Sequence, residues 1–189
     1  MKELDRRMLL AALSASMVPP HAFAAAATPS GVRLGPPRPF SFSALAERAQ
    51  KNASQPYKAP PQRAAEIIKT VDYDDAQKIK FKPDHALWPD RVDPVSFFHL
   101  SRYSNEPVVL HTVDSGRARE ILYGPDYFDY GATGLDAKAL ANLGFAGFRV
   151  MDGPGKPTDW LAFQGASYFR SSGQEAQYGA SARGIAINT

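Results

Sequence analysis

Short runs in which apolar and polar residues alternate fill most of the chain after residue 72. The runs are rich in aromatic and β-branched residues, and Pro, Gly, Asp and Ser separate them at short intervals, as in antiparallel sheets joined by turns. We therefore predict a mainly β fold. The predicted strands cover residues 78–82, 96–100, 108–113, 120–123, 145–151, 160–170 and 184–187.

Two short helices are predicted before these strands. Ser43 is a suitable N-cap for a helix over residues 44–53. Pro60 and Pro61 favour the start of a second helix, over residues 62–70. The fold class is therefore a mainly β domain with short N-terminal helices.

Residues 1–24 have the three parts of an export signal: a basic start, an apolar stretch over residues 8–18, and small residues before a cleavage site between Ala24 and Ala25. The Arg-Arg pair before Met-Leu-Leu indicates twin-arginine export, with ordinary secretion as the alternative. A stretch of eleven residues is too short for a membrane-spanning helix, which needs about 20 apolar residues. We therefore expect a periplasmic protein without a stable membrane anchor.

The segment that follows the signal, residues 25–39, is rich in alanine and proline. Such a composition predicts an extended and mobile linker, with folding expected to begin near Phe40. The remaining residues, 40–189, are long enough for one domain. An apolar share of 44% and a charged share of 22% are typical of a chain that buries a core.

Charge and composition exclude several functions. The formal net charge is +3, and the densest basic segment, residues 78–82, alternates lysines with apolar residues as a strand does, so no nucleic-acid partner is expected. The chain has no cysteine, which excludes disulfides, thiolate metal sites and cysteine nucleophiles. Its histidines lack metal-ligand spacing, and no phosphate-binding loop is present. We expect no metal and no cofactor.

The run over residues 160–170 has the most informative side-chain pattern. As a single strand it places Leu161, Phe163 and Phe169 on one face, which we expect to be core. The other face holds Trp160, Gln164, Tyr168 and Arg170. Aromatic rings beside guanidinium and carboxamide groups suit a saccharide, which presents flat C–H patches rimmed by hydroxyls. A solvated sheet face without a ligand remains the alternative.

Seven short segments between residues 71 and 186 form an ordered set that is more specific than any one motif. They are Val-Asp-Tyr-Asp (71–74), Ile-Lys-Phe-Lys-Pro (79–83), Ala-Leu-Trp (86–88), Phe-Phe-His (97–99), Leu-Gly-Phe-Ala-Gly-Phe-Arg (143–149), Phe-Gln-Gly-Ala-Ser-Tyr-Phe-Arg (163–170) and Tyr-Gly-Ala-Ser-Ala-Arg-Gly-Ile-Ala (178–186). In order and spacing they resemble the osmoregulated periplasmic glucan biosynthesis proteins. The Arg-Arg start resembles the D branch of that family more than the G branch.

The resemblance implies a periplasmic protein with a large antiparallel β-sandwich, galactose-mutarotase-like in fold, that carries a long glucan cleft and precedes a smaller immunoglobulin-like domain. Its implied partner is a β-1,2-linked glucan with β-1,6 branches, together with other components of glucan biosynthesis. The family includes enzymes that hydrolyse β-1,2-glucan with inversion. Two functions therefore stay open: a protein that binds and trims the glucan, and a noncatalytic glucan-binding assembly factor.

The family's sequences continue well beyond residue 189. We therefore expect residues 40–189 to be the N-terminal part of the sandwich domain, without the immunoglobulin-like domain and without the catalytic acids, and no catalytic residue is assigned. Uncovered strand edges and an uncovered sheet face would make residues 25–189 alone aggregate or stay partly unfolded. The residues predicted to contact the glucan are Arg149, Tyr168, Arg170, Tyr178 and Arg183.

Overall fold

The computed structural model describes residues 31–59, 61–165, 167–172 and 180–183. In chain order its helices and strands are β1 (Arg38–Pro39), α1 (Phe42–Ala53), α2 (Ala65–Thr70), α3 (Tyr73–Lys78), β2 (Lys80–Phe81), β3 (Val95–Phe98), β4 (His111–Asp114), β5 (Arg117–Glu120), β6 (Phe128–Asp129), β7 (Gly147–Met151), β8 (Asp159–Gln164), β9 (Tyr168–Ser171) and β10 (Ala180–Arg183). Short 3-10 helices lie at Pro83–His85, Pro125–Tyr127, Gly131–Thr133 and Ala137–Leu140.

A five-stranded antiparallel sheet, in the order β10-β9-β8-β7-β3, forms the largest part of the described structure. Two smaller antiparallel sheets accompany it, one in the order β1-β5-β4 and one that pairs β2 with β6. This arrangement confirms the mainly β fold with short N-terminal helices. The last predicted strand, residues 184–187, lies outside the described residues.

The run over residues 160–170 is a hairpin and not the single strand that the sequence predicts. β8 ends at Gln164, the chain reverses at Gly165 with a φ of 64°, and β9 begins at Tyr168. Glycine adopts this left-handed conformation without a steric penalty. Opposite residues in the hairpin, such as Gln164 and Tyr168, are an even number of positions apart. The reversal therefore keeps the paired residues, 161–164 and 168–171, on the two predicted faces.

The face with the phenylalanines is less buried than expected. Phe148, Phe163 and Phe169 form a stacked row across three strands, with ring centroids 5.0 and 5.7 Å apart. Phe163 is half-buried, however, and Phe169 is 37% exposed. The prediction that this face is core is therefore wrong for the part of the chain that the structure describes.

The main core lies where β3 meets the residues that precede β7. Phe145 is 2% exposed and has aromatic contacts with Phe97, Tyr123 and Phe128. The residues buried most completely are Tyr127, Phe145, Ile68, Leu100, Leu140 and Val71. Because α2, β2, β3 and β6 all supply residues to this cluster, it packs α2 and the β2–β6 pair against the β3 edge of the five-stranded sheet.

The second half of the predicted linker is bound to a sheet. β1 pairs with β5, Leu34 forms an isolated bridge with Ile121, and Val32 and Leu34 pack against the core. The prediction of a mobile linker is therefore wrong for residues 31–39. Their backbone groups form hydrogen bonds with β5, whose edge would otherwise be unpaired. Residues 1–30, with the predicted signal and the Ala24–Ala25 cleavage site, lie outside the described residues.

The helices begin at positions that differ from the predicted ones. Ser41, and not Ser43, caps α1: its Oγ accepts a hydrogen bond of 3.2 Å from the backbone N–H of Ala44. α2 is shorter than predicted because Ala64 has a left-handed conformation, with a φ of 50°. Asp72 caps α3, which the sequence analysis did not predict. No helix in the described part of the chain is long and apolar enough to cross a membrane.

Candidate functional site

An open cavity of about 470 Å³ lies against the five-stranded sheet, on the face opposite the row of phenylalanines. The residues of this sheet that line it are Phe97, Phe98, Arg149, Ala162, Gln164, Tyr168 and Arg170. α3, β2 and the segment after β3 supply the other walls, which include Tyr73, Lys80 and Tyr103. The cavity therefore combines aromatic rings with cationic and amide side chains.

Three of the five predicted glucan-contacting residues meet in this cavity. Arg149 on β7 lies opposite Ala162 on β8, which lies opposite Arg170 on β9, and Tyr168 is two positions from Arg170 on the same strand. Alternating positions share a face of a strand, so the three side chains project from one face. Arg183 lies opposite Tyr168 in the β9–β10 register. Tyr178 lies outside the described residues.

A buried carboxylate that the sequence analysis did not single out lies between the two arginines. Asp159 is 4% exposed, and its Oδ2 is 3.5 Å from Nη2 of Arg170 and 3.9 Å from Nη1 of Arg149. A register irregularity between β7 and β8 places Asp159 opposite Met151, and such bulges re-aim side chains. One carboxylate therefore offsets the repulsion between two neighbouring guanidinium groups.

The guanidinium of Arg149 has a second neighbour in the cavity wall. Its central carbon lies 5.5 Å from the ring centroid of Phe98, a distance typical of a cation–π contact. Phe98 and Arg149 both lie on the cavity face of adjacent strands, β3 and β7. A ring and a carboxylate together therefore hold this cation in a defined position, which favours its use in binding.

His99 also lines the cavity, and contacts with its neighbours hold its ring in the wall. Its ring has edge-to-face contacts with Phe128 and Tyr130, and Nδ1 is 2.7 Å from the carbonyl oxygen of Leu100. A carbonyl can only accept, so Nδ1 carries the proton and donates. Burial lowers the pKa of His99 below its ordinary value of 6.5. The imidazole is therefore neutral at pH 7.

A second cavity, of about 320 Å³, adjoins the first. The two share Lys80, Phe81 and Arg149 as lining residues. The second cavity continues past Ser96 and Met151 to the loop after β7, which contributes Lys156 and Pro157. Arg149 therefore lies where two adjoining cavities meet, an arrangement that suits an extended ligand with several units.

The described lining of the first cavity contains no Asp or Glu. Glycoside hydrolysis normally requires two carboxyl groups, one on each side of the scissile bond. Asp159 is the carboxylate that adjoins Arg149 and Arg170, and it is buried between them. Within the described residues no group of three His, Asp or Glu side chains is placed to hold a metal ion. The residues that line the first cavity can form hydrogen bonds and ring contacts with a ligand.

Comparison with curated proteins identifies close relatives. Glucans biosynthesis protein D 2 of Ralstonia nicotianae is 46% identical over 98% of this chain and 37% of the relative. Glucans biosynthesis protein D of Xanthomonas campestris is 44% identical over 95% of this chain and 34% of the relative. The protein of the same name from Xylella fastidiosa is 44% identical over 83% of this chain and 30% of the relative. The chain spans about a third of the length of these relatives.

A family model agrees with these relatives. It is described as "Periplasmic glucan biosynthesis protein, MdoG" and matches residues 40–189, which is most of the chain. The matched range contains the five-stranded sheet, both cavities and the Arg149–Asp159–Arg170 cluster. The chain belongs to the periplasmic glucan biosynthesis protein family and is closer to its protein D branch.

Proposed function

We propose that this chain contributes a glucan-binding face to a periplasmic protein of glucan biosynthesis. The observation that carries the proposal is that Arg149, Gln164, Tyr168 and Arg170 line one open cavity on one face of a sheet. The ligand that we propose is a β-1,2-linked glucan with β-1,6 branches. The name of the family supports both the periplasmic location and the class of polymer.

The chemistry of the cavity matches that of a glucose unit. Each hydroxyl both donates and accepts hydrogen bonds, so it can accept from a guanidinium and bond to either end of a carboxamide. Arg149, Arg170 and Gln164 supply these groups. The tyrosine ring at position 168 supplies an apolar surface for the sugar's C–H face. Because Asp159 already holds the arginines, little side-chain entropy would be lost when the sugar binds.

Two activities of the whole protein are compatible with such a face. In the first, the protein trims the glucan by inverting hydrolysis, with acidic residues that lie outside the described lining of the first cavity. In the second, it binds the polymer without cleaving it and assists assembly, alone or with other components of glucan biosynthesis. Incubating the protein with linear β-1,2-glucan and measuring new reducing ends separates the two. New ends support hydrolysis, binding without new ends supports the assembly factor, and failure to bind contradicts the proposed function.

Replacing Tyr168 by alanine is expected to weaken binding of linear β-1,2-glucan about two- to tenfold, because an aromatic contact contributes about 0.5–1.5 kcal/mol. Tyr168 is half-buried at the cavity, so the melting temperature should change little. Isothermal titration calorimetry measures the affinity. Tyr168→Phe should keep most of it, and Tyr57→Ala, at a tyrosine that is 80% exposed, serves as the control. A large melting shift with unchanged affinity would assign Tyr168 to folding instead.

Export of the protein is the second part of the proposal. Residues 1–24 carry the basic, apolar and small-residue parts of a signal, and the Arg-Arg pair favours the twin-arginine route. We expect the mature chain to begin at Ala25. N-terminal sequencing of the protein from the periplasmic fraction checks this, and replacing both arginines of the pair by lysine should retain the uncleaved chain in the cytoplasm. Unchanged export of that variant would favour ordinary secretion.

A further inference from the structure

Trp88 combines two features that seldom occur together in one residue. It is 46% exposed, and its backbone has a left-handed conformation with a φ of 55°. A positive φ is unfavourable for a bulky side chain because Cβ approaches its own backbone. An exposed tryptophan alone means little. An exposed tryptophan that is held in a strained conformation points to a role for the ring itself.

The surrounding loop explains how this conformation is maintained. Leu87 and Val95 exchange two backbone hydrogen bonds, of 2.9 and 3.0 Å, which close the loop just before and just after its seven residues. Inside the loop, the N–H of Arg91 donates to the carbonyl of Trp88 at 3.1 Å. Leu87 is 8% exposed and belongs to the core. The loop is therefore anchored on both sides, and Trp88 projects from a fixed base.

Arg91 also orients the indole. Its guanidinium carbon lies 5.1 Å from the centroid of the Trp88 ring, and its Nε is 3.4 Å from Oδ1 of Asp93. The ion pair with Asp93 restrains the arginine, and the cation–π contact restrains the ring on that side. Nearly half of the tryptophan surface nevertheless remains exposed. A rigid ring that is backed on one side and open to solvent is a suitable platform for the apolar face of a ligand.

The segment that carries Trp88 contributes residues to the wall of the second cavity. Ala86 and Pro89, which flank the segment that contains Trp88, both line that cavity, and so does Pro94 at the end of the loop. Through Lys80, Phe81 and Arg149 the second cavity adjoins the first. A polymer that occupied both cavities would therefore pass Arg149 and approach the loop of Trp88.

From this placement we infer that Trp88 is a stacking platform for a further sugar unit of the same polymer, bound at the rim of the second cavity. The inference rests on the proposed glucan-binding function and extends it to a second position along the chain. The expected contact is between the indole ring and the C–H face of a hexose. It requires an oligosaccharide long enough to reach from the first cavity to the rim of the second, so short ligands should not detect it.

Fluorescence makes a direct test possible, because the difference in emission between the unchanged protein and its Trp88→Phe variant reports on Trp88. Titration with long linear β-1,2-glucan should shift this difference spectrum to shorter wavelength, because the indole is transferred from water to the sugar. A β-1,2-linked disaccharide should shift it much less. If calorimetry shows that the long glucan binds while the emission of Trp88 stays unchanged, this inference is wrong and the proposed function stands.

A substitution separates binding from folding. Asparagine tolerates the left-handed conformation better than most residues, so Trp88→Asn should leave the melting temperature within a few degrees. It should also lower the affinity for the long glucan about tenfold while leaving that for the disaccharide unchanged. Trp88→Tyr, which keeps a ring, should recover most of the loss. Equal affinities of the unchanged and Trp88→Asn proteins for the long glucan would overturn the inference, and no glucan binding by the unchanged protein would overturn the proposed function with it.

Discussion

Replacement of Asp159 by alanine is expected to lower the free energy of unfolding by about 2–4 kcal/mol. The carboxylate is buried beside two guanidinium groups, at 3.5 Å from Arg170 and 3.9 Å from Arg149. Its removal leaves two like charges close together without their shared counter-charge. The expected loss is smaller than for a fully buried pair, because the Arg170 side chain is 39% exposed and water screens it. Urea unfolding monitored by circular dichroism measures the change.

The matched control for this change is Asp126→Ala. Asp126 also pairs with an arginine, at 3.3 Å from Nη2 of Arg33, but both side chains are more than half exposed. Such a surface pair contributes about 1 kcal/mol or less. Asp159→Ala should in addition weaken glucan binding, because Arg149 and Arg170 lose the group that positions them, whereas Asp126→Ala should not. Equal and small losses of stability in the two variants would show that Asp159 does not hold the arginines.

Replacement of Gly147 by alanine is expected to cost about 2–3 kcal/mol of stability, since overpacking of a tightly packed interior has costs of this order. A Cβ at this position would overlap the carbonyl oxygen of Phe163 and approach Cα of Gln164 to 2.9 Å. Both are backbone atoms of the adjacent strand, so no side-chain rotation relieves the overlap. β7 and β8 would have to separate where Gly147 lies opposite Gln164. Chemical denaturation measures the cost.

Gly134→Ala is the control for that substitution. Its Cβ would have no atom within 4 Å, and its φ of 71° makes the left-handed conformation the cause of any loss, which is about 1–2 kcal/mol. Because Gln164 lines the cavity, Gly147→Ala should also reduce affinity for the glucan, whereas Gly134→Ala should leave it unchanged. A Gly147→Ala protein with unchanged stability would mean that the two strands separate at that pair without cost.

The alternation of side chains along each strand could be read from the sequence because it is a local property. The hairpin over residues 160–170 illustrates this. Its turn was missed, yet Gln164, Tyr168 and Arg170 still lie on the predicted face, since opposite residues are an even number of positions apart. The burial of a face is not local. Phe169 has the apolar character of a core residue and is nevertheless 37% exposed, because burial depends on what is packed above the sheet.

Local chemistry also misplaced some boundaries. Ser41 and Ser43 are both acceptable N-caps, and the structure uses the first. Residues 31–39 have the composition of a linker, but the open edge of β5 offers hydrogen-bond partners that composition does not register. For residues 31–39 the sequence permits several local conformations, and contacts with distant residues select one.

The sequence by itself therefore determined the mainly β class, the family and the side chains that share the cavity face, because periodicity and ordered motifs are carried by neighbouring residues. Only the tertiary structure decided that Asp159 joins Arg149 to Arg170, and that Trp88 is held in a strained conformation beside the second cavity. The pairing of β7 with β8 and of β8 with β9 brings the charges together. The hydrogen bonds between Leu87 and Val95 close the loop that carries Trp88. Both features depend on pairing between segments that are separate in the sequence, and that pairing adds distances and restraints that no residue specifies alone.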